Sequence, residues 1–137
     1  LSHDIMQEIG EKFSFLAIYA GMTTLMRGPI GAILMADERE AILREILAKC
    51  VATAAAIGHA PRGAASSRMV AELTQRGSTG TASMFRDIAR GGQTEHDHII
   101  GDMLARARSL GVSAPLLRIS LAHMQTYEAI RAGIVTP

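Results

Sequence analysis

The sequence predicts an all-α fold, a bundle of six helices resting on three observations. Apolar residues recur at three- and four-residue spacing along most of the 137-residue chain, and no stretch alternates as a half-buried strand would. Composition leans the same way: 48% of residues are hydrophobic and only 4% aromatic, with eight Met and no Trp, so helix-favouring Ala, Leu, Ile and Met prevail over β-branched runs. Glycines stand where helices would stop, at Gly58, Gly77, Gly91-Gly92 and Gly111, as short loops between packed helices require. A chain of this length fits one domain and buries roughly two thirds of its unfolded surface.

The first helix starts after Ser2, carries Asp4 and Glu8 in its early turns, and runs to about Met26. Ile5, Ile9, Phe13, Leu16, Tyr19 and Leu25 form its apolar stripe; Phe15, Ile18 and Met22 widen it, which predicts burial on more than one side. Arg27-Gly28-Pro29-Ile30-Gly31 ends it. Residues 13–36 carry one charge, Arg27, and nearly reach membrane-spanning length. The Gly-Pro pair and Gly31 break that run into a buried helix, an interruption and a second element. A long helix follows over 37–57. The connector 61–63 leads to a third over 66–75, whose short apolar face is Met69, Val70 and Leu73. After the 77–80 loop a short helix spans 83–90. The fifth, 94–110, opens with Thr94 as N-cap and Asp97 in a weak capping box. Ser113-Ala114-Pro115 starts the sixth, which fades near Gly133.

Charge and cysteine content narrow the function classes. A formal net charge of +1 argues neither for nor against a partner; a nucleic-acid binder would usually show a basic face, and no nucleic-acid partner is expected. Cys50 is the single cysteine, so there is no internal disulfide and no cysteine pair for a metal; its apolar helical setting predicts a buried structural thiol, and cytoplasm as the compartment. Glu8-Ile9-Gly10-Glu11-Lys12 does not make a signal-peptide start, and Leu1 in place of Met suits a piece of a longer polypeptide.

Lys12 is the first candidate for chemistry, since only two lysines stand against twelve arginines and this one lies in an apolar helix. Phe13, Phe15 and Leu16 could partly desolvate it and bring its pKa into a range useful for proton transfer; the competing expectation is a lysine snorkelling at a helix edge, or an ion pair with Glu8. Ser83 could donate a hydrogen bond to a substrate, and Glu95 could accept one from Lys12 or from substrate. Helix capping and dipole complementarity are their ordinary alternatives. Glu95-His96-Asp97-His98 places Glu95, His98 and Asp102 on one helix face, the Glu-x-x-His element of metal-binding bundles, but no second copy exists and no metal is predicted. His3, His59 and His123 are expected at the surface or as satisfied polar groups. The methionines at 22, 26, 35, 69, 84, 103 and 124 are expected in packing, and Arg86, Arg90, Arg106 and Arg108 on solvated faces.

Several of these residues, taken in order, carry a family resemblance over nearly the whole chain. Glu11-Lys12-Phe13, the Arg27-x-Pro29-x-Gly31 break, Ser83-Met84…Asp87…Thr94-Glu95…Asp97, then Gly101, Gly111, Pro115 and Tyr127 resemble the C-terminal helical domain of ketopantoate reductases (2-dehydropantoate 2-reductases). The resemblance implies an all-helical fold like that of 6-phosphogluconate dehydrogenases, preceded in the parent polypeptide by a dinucleotide-binding domain. This chain has no Gly-x-Gly-x-x-Gly after a strand, so that domain is absent from it, and residues 1–137 are the helical domain alone. By the same resemblance Lys12 is the general acid, Ser83 and Glu95 contact substrate, NADPH is the cofactor, and the reaction reduces a 2-oxo acid to a 2-hydroxy acid. The isolated chain would be inactive. Well-known members carry asparagines where Leu16 and Ala20 stand, and apolar groups cannot replace those hydrogen bonds, so the substrate is expected to be ketopantoate or another 2-oxo acid. The rival expectation, from a different class, is a helical dimerisation module without catalysis. It draws on the mean hydropathy of +0.19 and on Leu16 and Ala20. A homodimer is compatible with either reading; a membrane partner with neither.

Overall fold

One helix organises the rest. In the computed structural model the backbone is described for residues 3–134 and side chains for 5–134; Ser2 and the side chains of His3 and Asp4 lie outside that description. Helix α1 (His3–Met26) runs through the centre, and the bundle wraps its C-terminal half: Ala17, Ile18, Ala20, Met22, Thr23 and Thr24 are all buried. The two threonines tolerate burial because each hydroxyl donates back to a carbonyl one turn earlier, Thr23 to Tyr19 at 2.8 Å and Thr24 to Ala20 at 2.5 Å. α1 ends where Arg27 adopts φ 55, a left-handed residue at the position glycine usually takes. Amides of Arg27 and Gly28 then reach back to the Thr24 and Thr23 carbonyls at 3.3 and 3.1 Å, closing the helix end.

Beyond the break a single turn, α2 (Ile30–Ile33), buries Ile30 and Ile33; it is additional to the six helices that periodicity predicts. α3 (Arg39–Ala56) buries Leu43, Ile46, Cys50, Thr53 and Ala54 along one face, and α4 (Gly63–Leu73) buries Ala65, Met69 and Leu73 at a strict four-residue step. Val70, expected on that face, falls off it and stays exposed. α5 (Ser83–Ala89) rests on Met84 and Ile88, and Gly91, at φ 71, lets the chain leave it. A π-helical turn (Asp97–Gly101) leads directly into α6 (Asp102–Ser109), and α7 (Pro115–Arg131) opens with Pro115 in its first turn, where the missing N–H costs nothing. The core forms where α1 meets α3 and α7: Ile18, Met22, Ile46, Ile100, Met103, Leu117 and Met124 are all but sealed from solvent. Cys50 belongs to it, and burial pushes its thiol up to about 12.

All-α architecture is therefore as predicted, and no strand occurs among the described residues. Two expectations are corrected. The N-terminal end of the predicted α1 stripe is not core: Ile5, Ile9 and Leu16 are 44%, 51% and 39% exposed. Met35 is 82% exposed and Met26 is exposed too, so those two methionines are not packing residues. No helix among the described residues is long and apolar enough to cross a membrane, since the break at Arg27–Pro29 cuts the apolar run.

Candidate functional site

The Glu11-Lys12 pair divides its labour. Glu11 turns inward, where its carboxylate takes hydrogen bonds from the Arg62 backbone N–H at 2.9 Å, from Arg62 Nε at 2.9 Å and Nη2 at 3.1 Å, and from Gln7 Nε2 at 3.1 Å. The Arg62 side-chain bonds outweigh burial and hold this carboxyl at about 2, against an ordinary 4.5. Gln7 also donates to the Ala60 carbonyl, so one buried cluster fastens the α3–α4 connector to α1. Lys12, one residue on, stays at the surface. It is exposed, lines a concavity between α1 and α4 with Phe15, Arg68, Met69 and Glu72, and makes no ion pair among the described residues.

Two of the three expectations for Lys12 fail. Lys12 stays exposed, and the flanking rings are engaged with other side chains. Phe13 lies under the Arg106 guanidinium, 5.9 Å from carbon to centroid, and Phe15 tilts against Tyr19 with centroids 5.3 Å apart. The ion pair with Glu8 is absent as well. What remains is the lysine at a helix edge, an unspent ammonium on an open face. Leu16, one turn on, shares that openness, whereas Ala20 sits in the core at 2% exposure.

Ser83 is the first residue of α5, exposed, with a hydroxyl that bonds to nothing among the described residues. It is not the cap: Ala82 holds that position without a side-chain bond, and its N–H leans on Thr23 Oγ1 at 3.4 Å. Backbone docking fixes the approach to Ser83, since the Gly31 N–H donates to the Ser78 carbonyl at 2.8 Å and the Ile30 N–H to the Gly80 carbonyl at 3.0 Å. Ser83 borders a second concavity with Arg86, Asp87 and Arg90, the last two ion-paired to one another. Helix rise puts Thr23 about 16 Å beyond Lys12 along α1.

Glu95 sits before the π turn and is exposed, while its own carbonyl accepts the His98 and Ile99 N–H groups at 3.2 and 3.3 Å. It borders a third concavity with Thr94, His96, His98 and Glu128. Thr94 does not cap the following helix as predicted. Its hydroxyl and its N–H both donate to Glu128 Oε1 on α7, at 3.0 and 2.8 Å, and the helix opens later, with a π turn. Burial alone would raise the Glu128 carboxyl, but donors from Arg131 and Thr94 prevail and hold it below its ordinary value. Because Thr94 has a single hydroxyl hydrogen, committed to Glu128, the 3.0 Å contact with His96 Nδ1 requires that nitrogen to carry the hydrogen.

The structure thus sets Lys12, Ser83 and Glu95 on three different concavities of this domain, all open to solvent and none spent on another side chain. No group of three acidic, His or Cys side chains among the described residues is placed to hold a metal ion. Two features have no local signal in the sequence. One is the Glu128–Thr94 contact, joining residues 34 apart, which no spacing announces. The other is His123, expected to be satisfied or at the surface. It is half-buried with Nε2 unpartnered, and burial followed by the charge of Arg27 pushes its pKa down.

Comparison with known proteins adds the relatives. Residues 4–128 match the family described as ketopantoate reductase PanE/ApbA C terminal. The chain is 30% identical over 129 residues to the uncharacterized oxidoreductase YkpB of Bacillus subtilis, covering 94% of this chain and 43% of that protein. Among solved structures it resembles a PanE/ApbA family ketopantoate reductase from Ralstonia eutropha, with TM-score 0.84, 22% identity, 96% of this chain and 44% of that one. It also resembles the dimeric ketopantoate reductase from Staphylococcus aureus, with TM-score 0.81, 22% identity, 96% of this chain and 46% of that one. At such identities the structural likeness speaks for the fold. The chain spans less than half the length of each of these proteins.

Proposed function

We propose, from the premise that the chain belongs to the ketopantoate reductase PanE/ApbA C-terminal family, that it is the substrate-binding half of a reductase converting a 2-oxo acid to a 2-hydroxy acid. The observation that carries this reading is Lys12: an exposed, unpaired ammonium within the family match, beside a glutamate occupied by Arg62 and Gln7. Nicotinamide, with NADPH as the proposed form, supplies the hydride when bound. Neither a strand nor a glycine loop for a dinucleotide occurs among the described residues, so we assign its binding to a dinucleotide-binding domain elsewhere in the same polypeptide.

Hydride reaching a keto carbon drives negative charge onto its oxygen. The Lys12 ammonium is suited to stabilise that charge and to deliver the proton. Ser83 can donate to the substrate carboxylate or hydroxyl, and Glu95 can accept from a substrate hydroxyl or from Lys12. The three border separate concavities, so a ligand that touches all of them has to lie across the face between those concavities. The exposed apolar face at Ile5, Ile9 and Leu16 supports such a covered arrangement, since uncovered it would leave large aliphatic groups in water. Leu16 beside Lys12 offers no hydrogen bond, so we include 2-oxo acids with apolar substituents alongside ketopantoate.

Steady-state NADPH oxidation by the full-length protein across a panel of 2-oxo acids tests this. Lys12→Ala is expected to lower kcat at least about 100-fold, the usual weight of a general acid. A variant as active as the parent ends the acid assignment, and no turnover with any 2-oxo acid ends the reductase reading. The same apolar face favours a second reading, a dimerisation module without catalysis, which the absence of all turnover would support.

A further inference from the structure

The geometry points to Glu128 as a positioning residue: through Thr94, and alongside Tyr127, it ties the 92–94 loop to α7 and so fixes where Glu95 meets a bound 2-oxo acid. This rests on the reading of Glu95 as a substrate contact.

Between α5 and the π turn the Gly91 and Gly92 amides close on the Ile88 and Asp87 carbonyls at 2.9 and 2.8 Å, but from the Gly92 carbonyl to the Thr94 N–H no backbone hydrogen bond holds the chain among the described residues. Gly91 takes φ 71 and Gly92 follows, a pair that without anchors would sample many conformations. Three side chains from the last turns of α7 supply the anchors. Tyr127 OH donates to the Gly92 carbonyl at 2.8 Å. Glu128 Oε1 accepts both the N–H and the hydroxyl of Thr94. Arg131 Nε donates to Glu128 Oε2 at 2.8 Å, orienting the carboxylate that does the holding. Thr94 is 7% exposed, so its N–H has no water to fall back on and must be met from within.

Glu95 is the next residue, and its side chain is the part left free. Its backbone is gripped on both sides, by Thr94 before it and by the His98 and Ile99 amides on its carbonyl after it. A carboxylate so mounted starts its reach for a ligand from a fixed point. A mere packing role would not need two donors from Thr94 converging on one oxygen, nor an arginine behind that oxygen's partner.

Three variants of the full-length protein test this. Glu95→Gln comes first: unchanged KM and kcat would remove Glu95 from the site and overturn the proposal with it. Given an effect at Glu95, Glu128→Leu, which removes both acceptors at similar size, is expected to raise KM for the 2-oxo acid about tenfold and leave KM for NADPH unchanged, as slight misplacement of a contact does. Glu128→Gln keeps one acceptor oxygen for Thr94 and should restore most of the loss. Hydrogen exchange at residues 92–95 should rise in the Leu variant and return in the Gln variant. Faster exchange in Glu128→Leu with an unchanged substrate KM overturns the proposal while leaving the Glu95 reading intact. Should Glu128→Leu fail to fold, Tyr127→Phe frees the Gly92 carbonyl alone and is put through the same two measurements. A raised substrate KM with faster exchange then supports the proposal, and faster exchange with an unchanged KM overturns it.

Discussion

At Glu11 and Lys12 two adjacent charges meet opposite fates, and only one of those fates could be read from the sequence. Helical spacing puts them about 100° apart, which says that they face different ways. It does not say that Arg62, 51 residues on, closes over Glu11. Lys12 is identifiable as a candidate because it is rare and apolar-flanked, yet the flanking rings spend themselves on Arg106 and Tyr19. The Glu11 cluster makes a pH prediction. Its folded pKa, about 2, lies below the ordinary 4.5, so the stability it contributes is complete above pH 4.5 and drains away as pH falls toward 2. Glu11→Gln should therefore cost about 2 kcal/mol at neutral pH, as loss of bonds to a charged group does. Urea denaturation at a series of pH values should show that gap close between 4.5 and 2. A gap that persists at the acid end would mean that shape, not charge, is what Glu11 provides.

The order of the main helices, their type and most of their ends were legible because glycines, two prolines and apolar periodicity act locally. What escaped was set by contacts between distant segments. α2 forms because the 77–80 loop docks on its first turn: amides of Ile30 and Gly31 reach the Gly80 and Ser78 carbonyls, and Ile30 and Ile33 are buried beneath. Thr94 is held by Glu128 of α7 instead of capping the next helix, which opens with a π turn at Asp97–Gly101. Gly31 shows how tight the first of these contacts is. A Cβ there would lie 2.6 Å from the Ser78 carbonyl oxygen and 2.7 Å from its nitrogen, both backbone atoms without a rotamer to yield. Gly31→Ala should thus cost about 1 to 3 kcal/mol, and, by unseating the loop that leads to Ser83, weaken substrate binding as well. Thermal unfolding and substrate KM on one preparation check both. An alanine variant as stable as the parent would show that the loop shifts without penalty.

Across the whole molecule the apolar surface is divided unevenly. The C-terminal half of α1 is enclosed by α3, α5 and α7, whereas Ile5, Met6, Ile9 and Leu16 stand 44%, 38%, 51% and 39% exposed at the other end. Four large aliphatic groups clustered along one helix make a patch that water penalises at roughly 25 cal/mol for every Å² left uncovered. In the full-length protein we assign that face to the dinucleotide-binding domain. In the isolated chain nothing of the kind is present, so self-association is the remaining way to remove the surface from water. Sedimentation velocity of the 137-residue chain over a range of concentrations should show reversible association, and Ile9→Glu, at the most exposed of the four, should abolish it while leaving the unfolding temperature nearly unchanged. The exposed setting makes that separation possible, because a charge at Ile9 disturbs no core contact. If Ile9→Glu leaves association intact, another face joins the copies, with exposed Met35 the next to change. If the chain stays monomeric throughout, the patch is tolerated in water. Coverage by a second domain would then need direct evidence, such as protection of the α1 face from hydrogen exchange in the full-length protein alone.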